Sequence, residues 1–120
     1  MDKQAQGLTN YLNGLSAEES VERVYCDAGA KVLKRRWRNK SGEVDLIFQL
    51  GPVLVFVEVK KAKDFAIAAE RVSERQLQRI SRAAEEFSAN TPLGLDTLLR
   101  IDVALVNDAG ESQIIENVTL

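Results

Sequence analysis

Asp45, Glu58 and Lys60 are the residues whose types and spacing could do chemistry in this chain. Residues 42 to 47 read Gly-Glu-Val-Asp-Leu-Ile, and residues 53 to 60 read Val-Leu-Val-Phe-Val-Glu-Val-Lys after a Gly51-Pro52 pair. Both segments alternate with the period of a strand, so they predict a hairpin with Gly51 and Pro52 at its turn. The first strand carries Val44, Leu46, Phe48 and Leu50 on one side and Glu43, Asp45, Ile47 and Gln49 on the other. If Leu50 lies opposite Val53, counting back brings Asp45 opposite Glu58 and Glu43 opposite Lys60. Opposed side chains sit with Cβ atoms roughly 5 Å apart, so two carboxylates there need a cation between them or a raised pKa. A divalent metal is one such cation. The bland reading is that Lys60 merely neutralises Glu58 from two residues along the strand, or Glu43 from across it.

The second strand of the hairpin is apolar on both sides until Glu58, which predicts a central, buried strand. A carboxylate at the end of such a strand is unfavourable by several kcal/mol unless it is paired, protonated or metal-bound. Ordering the strands requires the rest of the chain. Ser16 and Glu19 form a capping-box pair ahead of a helix with Val21, Val24, Tyr25 and Ala28 as its apolar stripe and Gly29 as its stop. Residues 31–38 predict a first strand and 39–42 a turn. A second long helix opens near Ser73, buries Leu77, Ile80, Ala84 and Phe87, and ends near Asn90. Residues 98–106 predict a further strand and 114–118 a short last one. The order is helix, three strands, helix, strand, which implies an α/β chain with a mixed sheet flanked by helices. Residues 1–13 read as an N-terminal arm and 14–120 as one domain.

The composition narrows the function. With 120 residues there is room for one core, and 45% apolar with 28% charged residues is ordinary for a globular domain. The chain has no histidine, which removes Ser/His/Asp and Cys/His catalysis and histidine-ligated zinc. A lone cysteine, Cys26, permits no internal disulfide and reads as a partly buried, inert thiol. No apolar run approaches the ~20 residues of a membrane span and no signal-peptide pattern opens the chain, so a cytoplasmic protein with no membrane partner is expected. The net charge of −2 is uneven. Lys31, Lys34, Arg35, Arg36, Arg38 and Lys40 cluster without an acid, and Lys61 and Lys63 follow Lys60. Basic segments on either side of a carboxylate site suit phosphates, although an edge strand also carries Lys and Arg to avoid pairing. Trp37 is placed to stack on a base or to pack.

These motifs resemble the YraN-like family of small bacterial proteins, within the PD-(D/E)XK nuclease superfamily. The resemblance runs from Gly14 to about Val106 and rests on Gly14-x-x-Ala17-Glu18, Gly29, Trp37-Arg38, Gly42-Glu43-Val44-Asp45-Leu46-Ile47, Phe56-Val57-Glu58-Val59-Lys60 and Arg100-Ile101-Asp102-Val103. It implies a restriction-endonuclease-like αβββαβ core and Mg²⁺- or Mn²⁺-dependent hydrolysis of nucleic acid, with DNA expected. In that reading Asp45 and Glu58 bind metal, the Val59 carbonyl and Glu18 are further ligands, Lys60 is the catalytic lysine, and Gln76 helps to position the site. Lys34, Arg35, Arg36, Arg38, Lys61 and Lys63 would contact nucleic acid, and cutting both strands of a duplex would call for a homodimer. Gln76 also completes a capping box with Ser73. The chain departs from the family in having Arg36 where Asn is common, Gln76 where Lys is usual, Ala62 where a base is usual, and a short loop before Phe65. Arg36, expected opposite Asp45, could neutralise it without metal. The alternative is therefore a non-catalytic nuclease-fold module that binds nucleic acid or a protein.

Overall fold

The two-sided apolar strand that ends in Glu58 is the middle of the molecule. In the computed structural model, which describes residues 16–118, β3 (Val53–Lys61) lies between β2 (Glu43–Leu50) and β4 (Leu98–Val106) in a five-stranded sheet of order β1-β2-β3-β4-β5. β1 is Lys31–Arg38 and β5 is Ser112–Ile115. All neighbouring strands are antiparallel except β3 and β4, which are parallel because helices intervene in the chain. This is the single α/β domain with a mixed sheet that the periodicity predicts. The expected arm over residues 1–13 and the Gly14 of the resemblance lie outside the described residues.

The hairpin has the expected register. Leu50 pairs with Val53 and Leu46 with Val57, and Gly51 supplies the left-handed φ of 59° at the first turn position. Each face of the sheet is closed by a helix. α1, helical over 16–27, buries Ala17, Val21 and Tyr25, spaced one turn apart, against Leu46, Phe48, Val55, Val57, Ala104 and Val106. Tyr25 stacks on Phe48 with ring centroids 4.5 Å apart. Val24, Ala28 and Cys26 are exposed instead of buried, because only this i, i+4 stripe meets the sheet. Gly29, at φ 97°, ends the helix and lets Ala30 N–H donate to the Tyr25 carbonyl.

α3 (Glu74–Ala89) covers the other face, setting Ile80, Ala83 and Ala84 on Val44, Ile47, Leu54 and Phe56. Ser73 caps it by accepting from the Gln76 N–H. Trp37 packs edge-on to Phe87, so it is a core ring and not a free stacking platform. Between β3 and α3 runs a short helix absent from the sequence reading, α2 (Phe65–Glu70), capped by Asp64 and burying Ala68 beside Leu77, Val103 and Leu105. The last strand is shifted from the expected 114–118: Asn117 takes a left-handed φ of 53° and ends it. No described helix is long and apolar enough to cross a membrane.

One buried charge ties the layers together. Asp102, fully buried on β4, accepts from the Tyr25 hydroxyl of α1 at 2.6 Å, from both Nε and Nη2 of Arg100 at 3.0 Å, and from the Asn117 N–H at 2.9 Å. Every neighbour donates to this one carboxylate, and burial and then Asp102 push the Tyr25 hydroxyl far above its ordinary pKa. Replacing Asp102 with Ala would strand Arg100 and Tyr25, and we expect a loss of about 3–5 kcal/mol in urea unfolding. Tyr25→Phe removes one donor of four and should cost about 1.5–3 kcal/mol. Equal losses for the two variants would contradict this ranking.

Candidate functional site

The β2–β3 ladder stops early. Its last pair is Leu46 with Val57, whereas β3 goes on pairing with β4 as far as Lys61 and Val106. Beyond Val57 the β2-facing edge of β3 therefore needs other partners, since a half-buried N–H left unpaired is unfavourable. The Asp45 carboxylate provides one: its Oδ2 accepts from the Val59 N–H at 2.8 Å, where a regular ladder would have offered a carbonyl. Asp45 and Glu58 are the next positions in register, and at the splay each carboxyl group is close enough to bear on the ionisation of the other.

Both flanking strands are distorted at this level. Val44 packs on the same α3-facing cluster as Ile47, which strict alternation forbids. Across from Asp45, Arg36 has φ 50°, an uncommon backbone for a residue with a β-carbon. As a result the consecutive residues Arg35 and Arg36 both meet α1. Arg36 Nε lies 3.0 Å from Glu18 Oε2 and Nη2 3.4 Å from Oε1, and Arg35 makes the equivalent fork with Glu22 one helical turn on. Arg36 is thus bound to Glu18, whereas the sequence placed it against Asp45.

The gap at the splay lies between the two long helices. From α3, Gln76 Nε2 donates to Glu58 Oε1 at 2.6 Å. Only the backbone half of the Ser73–Gln76 capping box forms, and the glutamine side chain goes to the carboxylate pair. Lys60 Nζ is 3.4 Å from the same Glu58 oxygen. Glu43 bonds Arg38, 3.3 Å away, and not Lys60 as the hairpin arithmetic suggested. From α1, Glu18 has its pKa raised, first by burial and also by the nearby Asp45 charge, while the guanidinium of Arg36 pulls it down and holds it. Among the described residues no group of three or more Asp, Glu, Cys or His side chains is arranged to hold a metal ion. The pair Asp45 and Glu58 remains, with oxygen donors that suit a hard cation such as Mg²⁺ or Mn²⁺, which commonly takes one or two protein carboxylates and completes its shell with water and substrate.

Electrostatics here follow from burial. Glu58 is pushed up to about 8, first by burial and then by the Asp45 charge, with Lys60 pulling the other way. Burial also raises Asp45, opposed by the Val59 N–H and Glu58. With a pKa of about 8, Glu58 is favoured in its protonated form at neutral pH beside Asp45.

Of the basic residues read as nucleic-acid contacts, Arg35 and Arg36 are on α1 acids, Arg38 is on Glu43, and Lys34 and Lys63 are exposed. Lys61 is half-buried at the end of β3, its carbonyl accepting from Arg71. A cleft of about 580 Å³ opens between α1 and β1, lined by Glu18, Glu22, Arg23, Cys26, Arg35 and Arg36. Cys26 is exposed in it, correcting the expected partly buried thiol. Asp102, which the sequence treated as one motif residue, is the buried charge that was missed. Its signal was an acid set in the apolar run Ile101 to Val106.

Comparison with known proteins covers nearly all of this chain. The family model described as uncharacterised protein family UPF0102 matches residues 17–106. A UPF0102 protein of Cereibacter sphaeroides (strain ATCC 17029) is 50% identical over 111 residues, 92% of this chain and 95% of that one. One from Ruegeria pomeroyi is 48% identical over 113 residues, covering 94% and 92%. Another, from Dinoroseobacter shibae, is 42% identical over 118 residues, covering 98% and 88%.

The raised pKa of Glu58 makes stability depend on pH with a definite sign. Between the ordinary glutamate value of 4.5 and about 8, the folded protein holds a proton that the unfolded chain has lost. The contribution is therefore fully present below about 4.5 and is lost as pH rises through about 8. Without divalent metal, the melting temperature should fall from pH 5 to pH 9 by an amount corresponding to a few kcal/mol. Glu58→Gln should flatten that fall. A wild-type curve already flat over this range would show that the fold does not hold Glu58 protonated.

Proposed function

This chain belongs to the uncharacterised protein family UPF0102, and we propose that its members built on this site are metal-dependent phosphodiesterases acting on nucleic acid, with DNA as the expected substrate. The observation that carries the reading is the convergence of Asp45, Glu58, Lys60 and Gln76 where β2 leaves β3, with a half-buried and a buried carboxyl group near enough to shift each other's ionisation. A fold that needed only a salt bridge at this point would not bury a second acid beside the first.

Asp45 and Glu58 would hold Mg²⁺ or Mn²⁺, with the Val59 carbonyl and Glu18 as further oxygen donors. Bound there, the cation would polarise the scissile phosphate and lower the pKa of an attacking water. Asp45 is kept in place by the Val59 N–H, so it is preorganised before any ligand arrives. Gln76 fixes the rotamer of Glu58 from above. Lys60, on the same face of β3, is free to turn its ammonium from Glu58 towards a phosphoryl oxygen or the attacking water once Glu58 has another counter-charge. Lys34, Arg38, Lys61 and Lys63 would meet neighbouring phosphates, which position the chain without reading its sequence. Such a role is at home in the cytoplasm, and cutting a duplex would bring in a second copy of the chain.

A second reading has its own support. Glu58 is satisfied by Gln76 and Lys60, and Glu18 by Arg36, all without a metal. That is what a non-catalytic module binding nucleic acid or a protein would show.

Calorimetric titration with Mn²⁺ separates the two. Saturable binding, abolished by Asp45→Asn and by Glu58→Gln in folded protein, is the expected result. Lys60→Ala should keep the metal and lose cleavage of a DNA duplex by about 10²–10³-fold. A folded wild type that binds no Mn²⁺, with or without DNA, would move the assignment to the non-catalytic module.

A further inference from the structure

Glu18 is close enough to Asp45 to feel its charge, yet its carboxylate is held by Arg36. The Arg36 fork takes both of its oxygens, and three features suit that fork to being temporary. The Arg36 backbone is left-handed at φ 50°, an unfavourable conformation for a non-glycine residue that recurs where a side chain has to be aimed. Arg36 keeps 38% of its side-chain surface exposed, so water and a ligand can reach the guanidinium end of the pair. Both residues line the cleft between α1 and β1, which has room for a phosphodiester group beside the guanidinium. A phosphate offers Arg the same two-pronged acceptor as a carboxylate and carries its charge on more oxygens.

We infer that Arg36 is a positioning residue that exchanges Glu18 for a substrate phosphate, so that the third carboxylate joins Asp45 and Glu58 only when nucleic acid is present. This deepens the metal-dependent reading above and rests on it. With the cleft empty, Arg36 keeps Glu18 neutralised and two carboxylates face the metal position. When a phosphodiester binds Arg36, Glu18 loses its counter-charge beside Asp45, and a divalent cation restores it. Substrate and metal then each favour the other's binding, and the coupling is reciprocal.

The test is Mn²⁺ affinity by calorimetry, with and without a phosphorothioate-linked DNA duplex that resists cutting. Wild type should bind Mn²⁺ about tenfold more tightly with the duplex. Arg36→Asn, which suits the left-handed backbone, should bind Mn²⁺ alone as tightly as wild type does with DNA, and should gain nothing further from the duplex. Glu18→Gln should bind as wild type does alone, with no tightening. A double-mutant cycle removes the trivial explanation that deleting any nearby positive charge helps a cation. If Arg36→Asn raises affinity equally in the Glu18→Gln background, the effect is one of field only and the exchange is overturned. Unchanged Mn²⁺ affinity in Arg36→Asn, with binding that Asp45→Asn still abolishes, overturns the exchange and leaves the metal site standing. No Mn²⁺ binding by wild type or by Arg36→Asn, each shown to be folded by its thermal melt, overturns the metal reading itself and the exchange with it.

Discussion

The hydrogen bond from the Val59 N–H to the Asp45 carboxylate is the constraint on which the arrangement turns. β3 must stay paired with β4 to its last residue, because its side chains form the floor of both apolar layers. β2 has to leave before that point to reach the turn back to β1. The chain resolves the mismatch by letting a side chain stand in for a strand, and the side chain chosen is an acid. Once Asp45 is there, the register brings Glu58 beside it, and the burial that closes the sheet, with the Asp45 charge, raises the pKa of Glu58. Fold and reactivity thus have one origin, and the distortions at Arg36 and Val44 are the local adjustments that let β1 follow.

The helices then act as walls of a gap. α3 contributes Gln76 from its first turn, while α1 contributes Glu18 from a position set by its own anchor, Tyr25 on Asp102. The resting molecule is well satisfied: among the described residues, Ser88 Oγ is the one buried side-chain polar atom left without a partner. Acids and bases near the gap are matched in pairs, so the region presents little net charge to solvent. Any ligand must compete with internal partners, and selectivity can arise from which of those pairs it is able to open.

Much of this was legible in the residues, for physical reasons. A strand's period of two makes hairpin register a matter of counting, and Leu50 opposite Val53 follows from the turn. β1, β2, β4 and α3 fall where alternation or the helical stripe puts them, because each has a long run facing one environment. α2 escaped notice because six residues hold too little of a helical period to stand out. The partners of Arg35 and Arg36 were hidden for another reason: Glu22 and Glu18 lie 13 and 18 residues away, and a left-handed φ that redirects a side chain leaves no trace in composition. Strict alternation also failed at Val44, where the strand twists out of its ladder. Gln76 was ambiguous between cap and site, and its backbone and side chain divide those roles.

The Tyr25–Asp102–Arg100 cluster has a consequence for how such sequences can diverge. Its three residues come from two elements 75 and more positions apart, as the 77-residue separation of Tyr25 and Asp102 illustrates, yet none can be exchanged alone without leaving a buried charge or hydroxyl unmatched. An apolar replacement is tolerable only if all three change together, and the intermediates are the least stable members of the path. Tyr25 also sits two helical turns from Glu18 on the same helix. Relatives that repack this cluster would tilt or slide α1 and carry Glu18 with it, so variation at a point remote from the carboxylate pair should travel with variation in how that pair is served.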